Sequence, residues 1–220
     1  MKKSFRVAVL ASGGGSNLQA LIDATRSGEL PEHVRIVLVL SDRGDAFVLQ
    51  RALNAGLPAV FLPLPKATDA AARARKRAAW ELDMATMINS FNPHLVILSG
   101  FMRILSPEFL TLCHAPLINQ HPALLPDNSA DTLRTRAGYV IPALRGAHVV
   151  ADALHQSLPI TGCTVHRVTA LVDDGPVLAA AEVPIRPTDT EQSLHERIKT
   201  EEHRLIVEVV ARLARESSDT

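Results

Sequence analysis

A chain of 220 residues, 47% hydrophobic and 21% charged, has the composition of one ordinary globular domain that can bury a sizeable core. Its 23 Lys and Arg balance its 23 Asp and Glu, so no basic field exists to draw in nucleic acid or an anionic membrane. No apolar run approaches bilayer length, no signal-peptide pattern follows the N-terminus, and the widely separated Cys113 and Cys163 form neither a disulfide framework nor a metal-site spacing. Membrane, secreted, fibrous and disordered classes are thereby excluded, and a cytoplasmic protein with free thiols is expected.

The predicted elements alternate between short apolar strands and helices. Residues 6–11 (RVAVLA) read as a buried strand, followed by Gly13-Gly14-Gly15 and a helix over 17–26 with Leu18, Leu21 and Ile22 on one face. A strand over 34–40 leads to a helix over 46–55 that stops at Gly56, and a third strand covers 59–62. A long helix is predicted over 69–90, a strand over 94–98, a helix over 106–112 opened by Ser106-Pro107-Glu108, and a fifth strand from 116 into Asn119-Gln120-His121-Pro122. Strands that are apolar throughout, regularly spaced by helices, predict a doubly wound, mostly parallel α/β sheet flanked by helices. In the last third, strands over 161–168 and 177–184 are separated by a tight Asp173-Asp174-Gly175-Pro176 turn. Thr190 then caps a helix to about Arg215, and the tail from Glu216 is expected to fray.

Three segments carry chemistry. Ser12-Gly13-Gly14-Gly15-Ser16-Asn17 lies between the first strand and helix, where glycines and a helix N-terminus bring several N–H groups to one anion. Leu18 stands where a dinucleotide fingerprint wants its third glycine, and no Gly-Lys-Ser/Thr follows, so the segment suits a phosphate monoester; a plain tight turn is the alternative. Asn119 and His121, two apart in an extended run, project to one side at a strand's C-terminal end, where an amide donor and an imidazole can stabilise an oxyanion. In isolation the same residues would be a turn cap and a structural histidine. Asp173, in the Asp-Asp-Gly-Pro turn, offers an acid that raises the proton affinity of His121 or removes an amine proton through water; its commoner meaning is a polar turn. His33, His94, His114, His155 and His195 show no paired spacing, so no metal is assigned.

Taken in order with Ala46-Phe47, Gly100-Phe101-Met102-Arg103-Ile104-Leu105, Asn119 to Pro126 and Thr161-Gly162-Cys163-Thr164-Val165-His166, these segments resemble the folate-dependent glycinamide ribonucleotide formyltransferases of purine synthesis, over residues 6–215. The resemblance implies a Rossmann-like single domain, with a nucleotide-binding half at about 1–100 and a folate-binding, catalytic half at about 101–215. It implies that Gly15, Ser16 and Asn17 hold the phosphate of glycinamide ribonucleotide, with Glu202 on the ribose and Lys199 nearby. Met102, Arg103, Ile104 and Leu105, with Asn119, would bind the pterin of 10-formyltetrahydrofolate, and Arg77 its tail. Asn119 and a protonated His121 would stabilise the oxyanion, and Asp173 would support His121, with neither metal nor covalent nucleophile. Small-molecule substrates, no nucleic acid, no membrane and a monomer or homodimer are expected.

Two related enzymes share the core. Formyltetrahydrofolate deformylase usually begins with a regulatory domain, and methionyl-tRNA formyltransferase adds a C-terminal tRNA domain, whereas this chain starts at its first strand and ends at 220. A nucleotide-binding protein with an impaired site is the alternative from another class. It draws on the main departure from the family pattern, in which residues 127–145 (DNSADTLRTRAGYVIPALR) separate Pro126 from Gly146-Ala147-His148. That insertion, with the chain's single Tyr139, is expected to be a loop poorly ordered in the empty protein: a tolerated surface loop, a mobile lid, an oligomer contact or a disruption of the site.

Overall fold

A computed structural model describes residues 3–217. The main sheet takes its strands in the order β3 (Ala59–Phe61), β2 (Val34–Ser41), β1 (Phe5–Leu10), β4 (Leu95–Leu98), β5 (Leu117–His121), β8 (Ile160–Arg167) and β9 (Val177–Pro184), is mostly parallel and is flanked by helices, as the apolar strand pattern predicts. By internal contacts the chain divides into two compact units: the residues up to Leu117 together with those from Ala214 on, and Ile118–Leu213.

In the first unit, β1 (Phe5–Leu10) pairs in parallel with β2 (Val34–Ser41) on one side and β4 (Leu95–Leu98) on the other, and β3 (Ala59–Phe61) pairs in parallel with β2. Val7 to Leu10 and all of β4 are buried, which is why these strands are apolar at every position. Helix α1 (Ser16–Ser27) buries Leu18, Leu21 and Ile22 and is bounded by two left-handed glycines, Gly15 (φ 69°) and Gly28 (φ 80°). Helix α2 covers Phe47–Asn54. In α3 (Ala70–Ser90), Asp69 caps the N-terminus by accepting from the Ala72 N–H at 2.7 Å, and Trp80, Met84 and Ile88 are buried. Full burial of each such side chain contributes about 1.5–3 kcal/mol. Helix α4 (Pro107–Leu112) starts with Ser106 as cap and proline in its first turn, as predicted.

The second unit is built on antiparallel pairing: β5 (Leu117–His121) with β8 (Ile160–Arg167), and β8 with β9 (Val177–Pro184). The connection between β8 and β9 is a nine-residue loop over 168–176 instead of the predicted tight turn. It folds back because Gly175 lies against the Arg167 carbonyl, where an added Cβ would stand 1.8 Å from that oxygen, and because Asp173 takes up the left-handed conformation (φ 52°). Residues 127–145 are not an irregular loop: Thr132–Arg134 (β6) and Val140–Pro142 (β7) form an antiparallel hairpin, and Leu133 and Ile141 pack with Leu124, Ile160 and Ala180. A short helix α5 (Val149–His155), absent from the predicted elements, follows it. Helix α6 (Glu191–Glu216) carries on three residues past the last of the second unit's, and the end of the tail expected to fray, 218–220, lies outside the described residues.

Cys113 in the first unit and Cys163 in the second are both free and buried. No helix among the described residues is long and apolar enough to cross a membrane.

Gly162 in β8 meets the neighbouring strand so closely that an added Cβ would lie 1.9 Å from the Ala181 carbonyl oxygen and 2.8 Å from a Leu124 methyl. Gly162→Ala is therefore expected to cost about 1–3 kcal/mol or more, read as a fall in the urea midpoint, because β8 and β9 must part to admit a methyl group.

Candidate active site

Strand β5 sets the centre of the second unit. Its alternation puts Asn119 and His121 on one side and sends Gln120 to the other, where the buried Gln120 amide donates to the Glu202 carbonyl of α6 at 2.9 Å. Antiparallel pairing places His166 of β8 directly opposite Asn119. The 168–176 loop then returns Asp173 to the same side. His121 Nδ1 lies 3.4 Å from Asp173 Oδ2 and His166 Nε2 lies 3.6 Å from Oδ1, and these three side chains are all more than nine-tenths buried. The Asn119 amide donates to Asp173 Oδ1 at 3.3 Å and to His166 Nε2 at 3.1 Å, while His166 Nδ1 donates to the Arg167 carbonyl at 2.9 Å. His121 Nε2 donates to the Leu144 carbonyl at 2.7 Å.

Asp173 is braced from the end of the inserted segment. The Gly146 N–H donates to Oδ2 at 2.8 Å, and Arg145 Nε donates to the Asp173 carbonyl at 3.3 Å. Burial works to raise the Asp173 carboxyl, but its contact with His166, the neighbouring His121 and the Gly146 N–H outweigh burial and hold it below the usual carboxylate range. For His121 burial wins: it pulls the ring below its ordinary value of 6.5, against the Asp173 carboxylate and the Leu144 carbonyl, which favour the charged form. The Asp173 contact at 3.4 Å is too long for a strong charge-assisted bond, so the ring rests neutral. Amide and imidazole donors beside a carboxylate can stabilise an oxyanion and accept a proton.

The first unit holds the other predicted segments in two clusters. Gly15 packs on α2 so closely that an added Cβ would stand 2.5 Å from a Val48 methyl, which makes glycine obligatory there. The Gly13 carbonyl accepts from the Val48 N–H at 3.1 Å and the Gly14 carbonyl from Arg51 Nε at 2.8 Å, so the loop's carbonyls turn to α2. Ser16 and Asn17 form the start of α1, whose first N–H groups have no helical partner; Asn17 is buried with its Oδ1 unbonded. The second cluster surrounds residues 100–106. Ser12 Oγ donates to Asp42 Oδ1 at 2.6 Å and accepts from the Met102 N–H at 2.9 Å, and Arg103 Nε donates to Asp42 Oδ2 at 2.6 Å. Arg77 donates to Glu81 at 2.9 Å and to the Ile104 carbonyl, and Ser106 donates to Glu81. Met102 and Ile104 are exposed and Leu105 is buried.

A formyl transferase family model matches residues 5–210. The chain belongs to the formyltransferase family. It is 40% identical over 209 residues to a phosphoribosylglycinamide formyltransferase of Mycobacterium tuberculosis, covering 95% of this chain and 85% of that protein. To the Escherichia coli phosphoribosylglycinamide formyltransferase it is 36% identical over 205 residues, covering 93% and 85%. Among solved structures, glycinamide ribonucleotide transformylase 1 from Symbiobacterium toebii superposes with a TM-score of 0.81 at 36% identity, covering 96% of this chain and 88% of that one.

Of the residues predicted for this member of the formyltransferase family, Asn119, His121 and Asp173 come together in the second unit, and Lys199 and Glu202 lie on its α6, Glu202 buried. Gly15, Ser16 and Asn17 lie together in the first unit, as do Arg77 and Met102 to Leu105. Two guanidiniums assigned to the folate are occupied within the protein, Arg77 by Glu81 and Ile104 and Arg103 by Asp42. Sequence reasoning missed His166, Leu144, Arg145 and the Gly146 N–H. His166 had a signal in the quoted Thr161 to His166 segment, since a hairpin partner of β5 must place some residue opposite Asn119; the other three lie in or beside the insertion.

Because the folded His121 binds its proton less tightly than the unfolded ring, its contribution to stability is complete above about pH 6.5 and is lost as the pH falls from there through the folded value. Asp173, held below 3.8, contributes above that value and loses its share as the pH falls through its folded value, so both effects weaken the fold toward acid. In His121→Asn the fall in urea midpoint between about pH 7.5 and about pH 5 is expected to be shallower than in wild type; an equal slope would contradict a buried neutral His121.

Proposed function

We propose that this chain transfers a formyl group from 10-formyltetrahydrofolate to the amine of 5'-phosphoribosylglycinamide in de novo purine biosynthesis. The observation that carries the reading is the convergence of Asn119, His121 and Asp173 in a buried cluster with amide, imidazole and carboxylate functions. The amine lone pair attacks the formyl carbon, and the formyl oxygen takes up negative charge. Asn119 and His121, which takes up a proton from water as that charge develops, donate to the oxyanion. The amine proton passes through water to Asp173; as the intermediate collapses the bond to N10 breaks, Asp173 returns that proton through water to N10, His121 gives its own back to water, and tetrahydrofolate leaves.

In the first unit, Gly15, Ser16 and Asn17 would take the substrate phosphate at the N-terminus of α1. The backbone of Met102, Arg103, Ile104 and Leu105 would receive the pterin, its shape set by the Ser12–Asp42–Arg103 bonds and by Arg77 at its edge. Asn119 would also meet the pterin, and Lys199 and Glu202 would serve the ribose. The reading needs small-molecule substrates alone, a cytoplasmic setting, and a monomer or homodimer. Holding the two substrates together contributes as much to rate as the acid–base groups.

Loss of the formyl group from 10-formyltetrahydrofolate, followed optically, is expected to require the nucleotide. An equal rate without it would instead mark a deformylase, and nucleotide binding without transfer an impaired site. Asn119→Ala and His121→Ala are each expected to lower kcat by about 10²–10³-fold, the usual cost of removing one oxyanion donor.

A further inference from the structure

The insertion over 127–145 ends on the catalytic cluster. An imidazole has two nitrogens, and both of His121's are engaged: Nε2 donates to the Leu144 carbonyl at 2.7 Å, and Nδ1 faces Asp173 at 3.4 Å. The amide protons of Asn119 are likewise directed at His166 and Asp173. Donors that a formyl oxyanion needs are therefore satisfied from within, and for His121 the occupying oxygen belongs to the insertion itself.

What holds the insertion there is mostly remote from the catalytic residues. Leu133 and Ile141 pack with Leu124, Ile160 and Ala180, the Arg136 N–H donates to Glu182 Oε1 at 2.6 Å, and the Ala143 N–H donates to the Asp131 carbonyl at 2.8 Å. Nearer the cluster, Arg145 reaches the Ala130 carbonyl at 2.9 Å and Asp174 at 3.5 Å, and Ser129 donates to Asp174 at 2.8 Å. These bonds tie both ends of the segment to the loop that carries Asp173.

We propose that the inserted segment is an internal competitor for the formyl donor: the Leu144 carbonyl occupies the hydrogen-bond donor of His121 in the resting protein and must leave it before the ring can serve the reacting formyl oxygen. The proposal rests on the formyl-transfer reading of the site. Its consequence is that the segment sets the apparent affinity for 10-formyltetrahydrofolate. A competitor seated nine times in ten weakens that affinity about tenfold, because only the open fraction binds.

Loosening the remote anchors tests this. Glu182→Ala removes the acceptor of the Arg136 N–H, and Leu133→Ala thins the apolar anchor; neither residue belongs to the catalytic cluster. Both variants are expected to lower the KM for 10-formyltetrahydrofolate by about 3- to 10-fold while the KM for the nucleotide stays within about twofold. An unchanged or raised KM for the formyl donor overturns the proposal. If the wild-type protein moves no formyl group, the transfer reading has failed, and the competitor is judged by the His121 Nε2 proton in nuclear magnetic resonance. Held by Leu144, that proton is expected to exchange with water slowly in wild type and faster in Glu182→Ala. Equal exchange rates in the two proteins would again overturn it.

Discussion

The second unit depends on one constraint, the alternation of side chains along β5. Three consecutive residues divide between two destinations: Asn119 and His121 turn toward Asp173, and Gln120 turns away to bond α6. A shift of one residue in the β5–β8 register would exchange these faces, putting an amide where the imidazole stands and leaving the two polar donors against the helix. The register is held by Thr164, opposite His121, whose hydroxyl bonds the Ala123 carbonyl at 2.8 Å and the Leu125 N–H at 3.1 Å. The backbone leaving the strand is thus tied to its neighbour at once, and the position of His121 is set from both ends.

Asp173 is held by different means. A buried carboxylate would ordinarily drift toward the neutral form, but here histidine contacts and a backbone N–H keep it charged. The left-handed backbone at Asp173 and the close approach of Gly175 to Arg167 are the conformational cost of aiming it. The Gly146 N–H and Arg145 offset that cost from the far side. The insertion is consequently part of the support for the Asp173 carboxylate as well as an occupant of the imidazole.

The strands and long helices were readable because their burial leaves a period in the sequence. Strands such as β4 are buried at every position and so apolar throughout, and α1 is bounded by the glycines its termini require. Asn119 and His121 were readable because two-residue spacing in a strand is itself geometry. The hairpin over 132–142 and α5 were not: each is short, and β6 and β7 are three residues apiece with one well-buried position between them, too brief for a period to emerge. His166 escaped because its role comes from a partner strand, and pairing across a sheet is not written in local sequence. The internal partners of Arg77 and Arg103 escaped for a related reason, since a buried carboxylate such as Glu81 or Asp42 is known only once the chain has folded over it.

The two buried thiols have a use outside catalysis. Burial pushes Cys163 up to about 12 and also raises Cys113, so neither presents a thiolate at neutral pH while its surroundings stay closed. A thiol reagent therefore meets them only in molecules that have opened. Since one lies in each unit, the rates at which the two are labelled give separate clocks for the opening of each, in a protein that needs no added probe.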